Sequence, residues 1–584
     1  WFNQPYRATQ LKGTEEFFFS GEFEFSYNRY QLTNPSAELV SDLPVSTDRI
    51  VPIYRSIKGL KSQLVRKILT ELKPLITMLP ETLPSEIVRQ EKLISYSQAL
   101  LGLHFPNSAD DVAAARQRLG FEELFELLLA AQYNKQANAQ LDGWKLPFDQ
   151  HAVKKFVEQL PFQLTDAQRR AAWEILQDFE KPHPMNRLLQ GDVGSGKTVV
   201  AGLAARQAAS CGFQSAIMAP TEILASQHAE TLSILLRPLG VSVGLLTGSV
   251  KGKARETLYK QIENGSVDVV VGTHALIQQS VSFHKLGFVV IDEQHRFGVA
   301  QRQELLKKSA RMPHLLSMTA TPIPRSLALT VYGELDISIL NERPKGRKPI
   351  ITKLWSPNSR AQLYSLMDEQ LQVGRQAYVI CSLIDDNPDN DVKSVQEEYK
   401  KLRVGPFKHR TIGLLHGKLK PAEKDAIMTD FSTGKLDILV STTVVEVGVD
   451  VPNATVMLIE NADRFGLSQL HQLRGRVGRS DFQSYCFLML SDSKQASKRL
   501  REIEKSNDGF HLAEVDLQLR GPGEIYGRQQ HGELNLQIAS LSDTKQIARA
   551  QRAARKFVES GQDLVQYTQL AQQVEKYQRL TTLN

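Results

Sequence analysis

The chain has 584 residues, 41% of them apolar and 23% charged. That composition excludes a fibrous repeat and wholesale disorder, and the length is too great for one hydrophobic core, so three or four domains are expected. Net charge is +7, which suits a polyanionic partner but is equally met by a generic basic surface.

Apolar runs such as Phe125–Ala131 fall far short of the roughly 20 residues that span a bilayer, and no charged segment followed by an apolar one marks a secretory leader. No membrane association is expected. Cys211, Cys381 and Cys486 lie far apart and offer neither a zinc pair nor a disulfide framework. A reduced, cytoplasmic protein is the expectation. The first residue is Trp1, so the natural start is expected to lie upstream.

In chain order, residues 1–50 read as β-rich. Phe17-Phe18-Phe19, Gly21–Phe25 and Tyr27–Leu32 alternate around a glycine turn, as short antiparallel strands do. Residues 51–150 change period. Leu60, Leu64, Ile68 and Leu69, then Leu124, Leu127 and Leu128, recur at helical spacing, with Pro80 and Pro84 as breaks. This stretch reads as a helical connector. Residues 151–345 alternate short apolar runs with helical segments: Leu188-Leu189, Ala216–Ala219, Val269–Val271 and Val289–Ile291. Near-continuous apolar strands between helices predict a parallel sheet covered on both faces. A polar, basic linker at Asn341–Pro349 leads to a second α/β pattern over 346–498, with strands at Ala377–Ile380, Ile412–Leu415, Ile438–Val440, Val456–Ile459 and Phe487–Leu490. The tail 499–584 is polar and helical, interrupted by Gly521-Pro522-Gly523. The residues of the two α/β patterns do not align with each other by eye.

Gly191-Asp192-Val193-Gly194-Ser195-Gly196-Lys197-Thr198 fits G-x-x-x-x-G-K-[ST] between a strand and a helix. Glycines let backbone N–H groups wrap phosphates, and the helix N-terminus adds a favourable dipole. Lys197 is expected to reach the β and γ phosphates of ATP, and Thr198 to ligate Mg²⁺. Val289–Ile291 runs into Asp292 and Glu293. After such a loop, Asp292 is expected to hold Mg²⁺ and Glu293 to activate water as a general base. Taken alone, a strand ending in two acids is an ordinary strand exit. Upstream, Gln168 can satisfy both a donor and an acceptor on adenine, while Thr165 and Gln168 also read as a capping box; both can hold at once.

Further segments separate NTPase classes. They are Pro220-Thr221-Glu222, Gly272-Thr273-His274, Ser317–Pro322 at the end of the last strand of the first α/β pattern, Ser441–Asp450, and Gln472–Arg479. Their identity and order resemble superfamily 2 helicases. That resemblance implies two tandem RecA-like lobes with ATP between them. Arg476 and Arg479, always charged, then complete the site from the second lobe, and Asp450 joins the nucleotide contacts. Hydrolysis removes a bridging contact and couples chemistry to a hinge. Thr221, Thr273 and Thr442 at strand exits suit DNA phosphates, although each serves equally well as a cap or turn residue. His295, Thr319 and Thr321 are candidates for relaying nucleotide state.

Within that superfamily, Gly191–Ala201, Pro220–His228 and Asp292–Val299 resemble the RecG family, as does Asp516–Glu524 with Gly527 and Gln530, Trp1–Tyr6, and Ile50–Leu64. A transcription-repair coupling factor typically has Glu after the Lys-Thr pair, Pro-Thr-Thr and Asp-Glu-Glu-His; here stand Val199, Glu222 and Gln294. The resemblance implies a partial OB-fold wedge at 1–50, a connector at 51–150, lobes at 151–345 and 346–498, and a helical hairpin and translocation region at 499–584. It implies a monomeric, ATP- and Mg²⁺-dependent DNA helicase that remodels forks, Holliday junctions and R-loops, with single-strand DNA-binding protein as a partner by analogy. Phe2 and Tyr6 are candidates to stack on bases at the branch point, or core residues of a barrel. Arg520 and Gln530 are candidates to couple the motor to DNA. His531 stands where the family pattern leads one to expect Ser. The competing readings are an RNA-directed ATPase of the same superfamily and a scaffold without turnover; the tail speaks for DNA, and intact Lys197, Asp292, Glu293 and Arg479 speak against the scaffold.

Overall fold

The structure, a computed structural model, describes residues 11, 17–26, 29–39, 50, 52–54, 62–322, 324, 335–342, 348–381, 388–442, 451–478, 480–492, 496–520 and 536–581. The chain forms two compact units, residues 1–132 with 533–580, and residues 133–532 with 581–584.

The first unit opens with an antiparallel pair, β1 (Phe17–Ser26) and β2 (Arg29–Leu39). Gly21 is not the turn that alternation suggests. The register shifts between Ser20 and Glu22, so the glycine lies at a bulge inside one long strand, where its lack of a side chain tolerates the extra residue. Helices follow at Ser62–Ile76, Ser85–Gln90, Tyr96–His104 and Ala109–Ala139, the last belonging to this unit through Gln132. Pro84 stands at the N-terminal boundary of the second of these, where a missing N–H costs nothing. Leu124, Phe125, Leu127 and Leu128 are fully buried.

The tail does not stay together as a single region. Residues 536–580 join the first unit, while the helices Lys498–Lys505 and Gly509–Arg520 belong to the second. The reason is local. The Glu123 carboxylate accepts hydrogen bonds from the backbone N–H groups of Gln537, Ile538 and Ala539 at 2.8–3.0 Å. Phe557, on the helix Thr544–Glu559, stands edge-on to Phe125 with ring centroids 6.2 Å apart. Arg549 donates to the Glu91 carboxylate at 2.9 Å and to its carbonyl at 2.7 Å. None of these partners is near in sequence.

This unit also buries acids. Arg118 is fully buried and pairs with Glu81 and Glu122. One helical turn further on, burial together with Glu122 and Glu123 pushes the Glu126 carboxyl up to about 8. The folded state therefore holds a proton that the unfolded chain gives up above its ordinary value, and stability falls as pH rises from the ordinary carboxylate range through about 8. Glu126→Gln should flatten that fall: its Tm should drop less than that of the unsubstituted protein between pH 6 and pH 9 in thermal melts, with little difference near pH 4.

The second unit contains two parallel sheets. The first has seven strands, β3 (Asn186–Gly191), β4 (Gln214–Met218), β5 (Val243–Leu246), β6 (Val269–Gly272), β7 (Leu286–Asp292), β8 (His314–Thr319) and β9 (Asp336–Leu340), in the order β5-β6-β4-β7-β8-β3-β9. The second has six, β10 (Ile351–Trp355), β11 (Gln376–Ile380), β12 (Ile412–Leu415), β13 (Ile438–Ser441), β14 (Ala454–Ile459) and β15 (Tyr485–Met489), in the order β10-β15-β14-β11-β13-β12. Central strands β4, β7, β11 and β14 are buried along their whole length, which is why they read as unbroken apolar runs. Strand β8 is not the last of its sheet. Strand β9 adds to the edge beside β3, and its mixed, half-exposed pattern Asp-Ile-Ser-Ile-Leu carries no such run.

A local match between the sheets that reading the sequence by eye misses appears once they are laid out. At the end of β7, Ile291-Asp292-Glu293-Gln294-His295-Arg296-Phe297-Gly298 runs into the helix Val299–Leu306; at the end of β14, Ile459-Glu460-Asn461-Ala462-Asp463-Arg464-Phe465-Gly466 runs into the helix Leu467–Arg474. Glu293 and Asn461 share a left-handed backbone, with φ of 50° and 52°. Each is followed by a 3₁₀ turn, and in each the glycine N–H donates to a glutamine three residues on, Gln301 or Gln469, at 3.2 Å.

Candidate active site

The loop Gly191–Lys197 leaves the end of β3 and enters the helix Lys197–Ser210. Gly194 and Gly196 have φ of 77° and 88°, a region that costs any other residue. Space decides as well: a Cβ on Gly196 would lie 2.2 Å from the Gln168 amide nitrogen. Lys197 Nζ donates to the carbonyls of Gly191 and Asp192 at 2.7 and 3.0 Å. Burial pushes the Lys197 ammonium down, against the pull of Glu293 and Asp292. The Ser195 hydroxyl is buried with no hydrogen-bond partner among the described residues. An unmatched buried hydroxyl in a ring of glycine N–H groups suits a phosphate oxygen.

Asp292 ends β7, two strands away from β3. Its Oδ1 accepts from the Glu293 N–H at 3.1 Å and its Oδ2 is 2.8 Å from His228 Nε2. Burial works to raise the Asp292 carboxyl, but the hydrogen bond from His228 and the charge of Lys197 outweigh it and hold it below the ordinary carboxylate range. Glu293 is displaced the other way, by burial first and then by the Asp292 charge, and its carboxylate accepts from the Ala320 N–H at 3.2 Å. Two adjacent acids thus have their proton affinities pushed apart, which suits one to charge and the other to proton transfer. Burial brings the neighbouring His295 imidazole down to about 4, so it is neutral at ordinary pH.

Thr198 and Asp292 line one cavity of about 670 Å³ together with Lys197, Glu293, Gln472 and Arg476. The last two come from the second sheet's side, Gln472 on the helix Leu467–Arg474 and Arg476 just past it. Thr198 and Asp292 give two oxygen ligands of the kind Mg²⁺ takes, and a cation that binds through phosphates needs few more from the protein. The expected metal pair and the expected catalytic pair therefore share a cavity with one of the two expected arginines.

Other hydrogen bonds join the lobes at the loop. His471 Nε2 lies 2.9 Å from Asp192 Oδ1, and Arg474 donates to His471 Nδ1 at 2.8 Å. Arg474 is itself buried and held by the carbonyls of Ile503 and Ser506 at 2.8 Å. With Nδ1 accepting, the imidazole proton sits on Nε2 and is donated to Asp192. Gln472 donates to the Thr321 hydroxyl. A Cβ on Gly509 would lie 2.2 Å from Asp192 Oδ1 and 2.4 Å from His471 Nε2, so this close approach needs glycine.

The remaining expected residues fall as follows. Gln168 is buried away from the cavity lining; its Oε1 accepts from the Thr165 N–H at 2.9 Å and its Nε2 donates to the Ser195 carbonyl at 2.8 Å. Thr221 caps the helix Glu222–Leu236 through the Leu224 N–H at 3.3 Å. Thr319 accepts from the Thr321 N–H at 3.1 Å. Thr273 and Thr442 are buried at the exits of β6 and β13. Phe2, Tyr6, Asp450, Arg479, Gln530 and the side chain of Arg520 lie outside the described residues. His228, Asp192, His471 and Gln472 were not singled out from the sequence. Their signals were faint: His228 closes the Ala225-Ser226-Gln227-His228 string, and His471 sits one residue ahead of the arginine-rich segment.

Four family models match the chain: the DEAD/DEAH box helicase at residues 165–330, the helicase conserved C-terminal domain at 359–481, the RecG wedge domain at 1–76, and domain 3, C-terminal, of ATP-dependent DNA helicase RecG at 506–583. ATP-dependent DNA helicase RecG of Synechocystis is 47% identical over 90% of this chain and 64% of its own length. The proteins of that name from Thermotoga maritima and Staphylococcus aureus are each 44% identical, over 93% and 96% of this chain and 70% and 82% of their own lengths. Among solved structures, RecG bound to a three-way DNA junction superposes with a TM-score of 0.77 at 42% identity, over 95% of this chain and 73% of that one. The chain thus spans just under two thirds of the Synechocystis relative. Among the described residues no helix is long and apolar enough to cross a membrane.

Lys197→Ala removes the cation from the centre of the glycine loop. Nucleoside triphosphate hydrolysis, followed by phosphate release, should fall by about 10²–10³-fold or more, the scale at which one lost transition-state contact acts, while far-UV circular dichroism stays unchanged.

Proposed function

Since the chain belongs to the RecG family of ATP-dependent DNA helicases, we propose that it hydrolyses ATP between its two RecA-like lobes and uses their relative movement to remodel branched DNA. Stalled forks, Holliday junctions and R-loops are the substrates this reading names. The observation that carries it is the shared cavity: Arg476 from the second lobe opens onto the same space as Lys197, Asp292 and Glu293 from the first.

In this reading the glycine loop and Lys197 bind the β and γ phosphates, and Ser195 gives its buried hydroxyl to a phosphate oxygen. Thr198 and Asp292 hold Mg²⁺, which when bound neutralises phosphate charge. Glu293, with its raised proton affinity, orients and deprotonates the attacking water. Arg476 and Arg479 face the charge that builds on the γ-phosphoryl group, with Gln168 and Asp450 as further nucleotide contacts. When the γ-phosphate leaves, the arginines lose their counter-charge and the cleft loosens; Thr319, Thr321 and His295 pass that change on. Thr221, Thr273 and Thr442 touch the DNA backbone, Arg520 and Gln530 link lobe movement to the duplex, and Phe2 and Tyr6 stack at the branch. Branched DNA is supported by the junction-bound relative, which resembles nearly the whole chain. Family analogy adds a monomeric state, a cytoplasmic location and a single-strand DNA-binding protein as partner.

Backbone contacts read charge and not sequence, so binding should be salt-sensitive and sequence-tolerant. ATP hydrolysis should be stimulated several-fold more by a three- or four-way DNA junction than by single-stranded RNA, and junction affinity should fall by on the order of ten-fold or more between 50 and 200 mM salt. Equal stimulation by RNA would overturn the proposal.

A further inference from the structure

Thr198, in the first turn of the helix Lys197–Ser210, and Asp292, at the end of β7, are the two oxygen ligands proposed for Mg²⁺, and one side chain touches both. His228 Nε2 lies 2.8 Å from Asp292 Oδ2, and His228 Nδ1 lies 3.4 Å from Thr198 Oγ1. The imidazole is 9% exposed and lines the cavity. It sits two turns into the helix Glu222–Leu236, which follows β4, and β4 is the neighbour of β7. That adjacency carries the helix over the end of the strand that bears Asp292.

We propose that His228 is a positioning residue that holds Thr198 and Asp292 ready for the cation. The inference rests on the reading of this cavity as an Mg²⁺–ATP site.

The chemistry of the three groups fits. An ionised carboxylate only accepts, so the imidazole must carry its proton on Nε2 and donate it to Asp292. In that tautomer Nδ1 is an acceptor, and the partner it faces is the Thr198 hydroxyl. A hydroxyl that turns its proton toward Nδ1 turns its lone pairs elsewhere, and lone pairs are what a cation needs. Asp292 is fixed in the same way at both oxygens. Oδ2 accepts from His228 and Oδ1 from the Glu293 N–H at 3.1 Å, so neither the carboxylate nor the hydroxyl must be reoriented when a cation arrives. Without His228, among the described residues Asp292 keeps only the Glu293 contact at Oδ1, and no hydrogen bond sets the Thr198 rotor. A purely packing role would call for bulk alone, not for nitrogen atoms facing both ligands.

The two ring nitrogens can be separated by substitution. The glutamine amide of His228→Gln reaches about as far as Nε2 and can still donate to Asp292; the asparagine amide of His228→Asn ends near the position of Nδ1 and cannot. The measurement is the affinity for a fluorescent ADP analogue in excess Mg²⁺ and again in EDTA. The unsubstituted protein should bind more tightly with Mg²⁺; if it shows no Mg²⁺ effect, the reading of the cavity itself fails. His228→Ala and His228→Asn should lose about ten-fold of the Mg²⁺-dependent gain, the scale on which partners of metal ligands act, while affinity in EDTA stays within about two-fold. His228→Gln should recover most of the gain. Equal Mg²⁺-dependent gains in the asparagine and glutamine variants, or losses of the same size in EDTA, would overturn the proposal. If the alanine variant fails to fold, the comparison of the two amides still decides.

Discussion

The cavity proposed for a triphosphate draws its lining from both sheets, so groups from two sheets must be held against one glycine loop. The His471–Asp192 hydrogen bond does that holding. Its direction is fixed from behind by buried Arg474, which occupies His471 Nδ1 and leaves Nε2–H to reach across. The contact is therefore neutral at the histidine and charge-assisted at the aspartate. It is made at the loop itself and not at the rim of the cleft. The loop thus touches the helix Leu467–Arg474, and the missing side chain of Gly509 lets the helix Gly509–Arg520 come up against the same pair.

Two adjacent acids line the same cavity. Asp292 and Glu293 are consecutive residues with opposite displacements of their proton affinities. The difference comes from their partners. Asp292 has His228 as a hydrogen-bond donor, while Glu293 has the backbone N–H of Ala320 and bears the field of its neighbour. The strained backbone of Glu293 turns the two side chains to different partners, a use of left-handed geometry that clusters at functional positions.

Much of this was legible in the sequence, for identifiable reasons. Positive φ favours glycine, here at Gly194 and Gly196, so the loop leading into the helix Lys197–Ser210 could be read from its glycine spacing. Buried parallel strands demand unbroken apolar runs, so β4, β6, β7, β11 and β14 stood out. The edge strand β9 and the bulge at Gly21 did not, because an edge is only half buried and a bulge mimics a turn. His228 was hidden for a topological reason: its role follows from β4 lying beside β7, and strand order is not written in any local pattern. The return of residues 536–580 to the first unit was hidden likewise, since Glu123 meets Gln537, Ile538 and Ala539 only after folding.

The repeated strand exit at Asp292–Gly298 and Glu460–Gly466 has its own consequence. Both sheets present an acid followed by a left-handed residue, a 3₁₀ turn and a glycine-led helix. In the second sheet, however, Arg360 grips Glu460 through both guanidinium arms, the longer contact being 2.8 Å. A carboxylate already neutralised by a guanidinium is a poor host for a second cation, since displacing the arginine would strand its charge. The backbone thus forms the same strand exit twice, and in the second a salt bridge occupies the acid, so at this point the two halves differ in charge and not in fold.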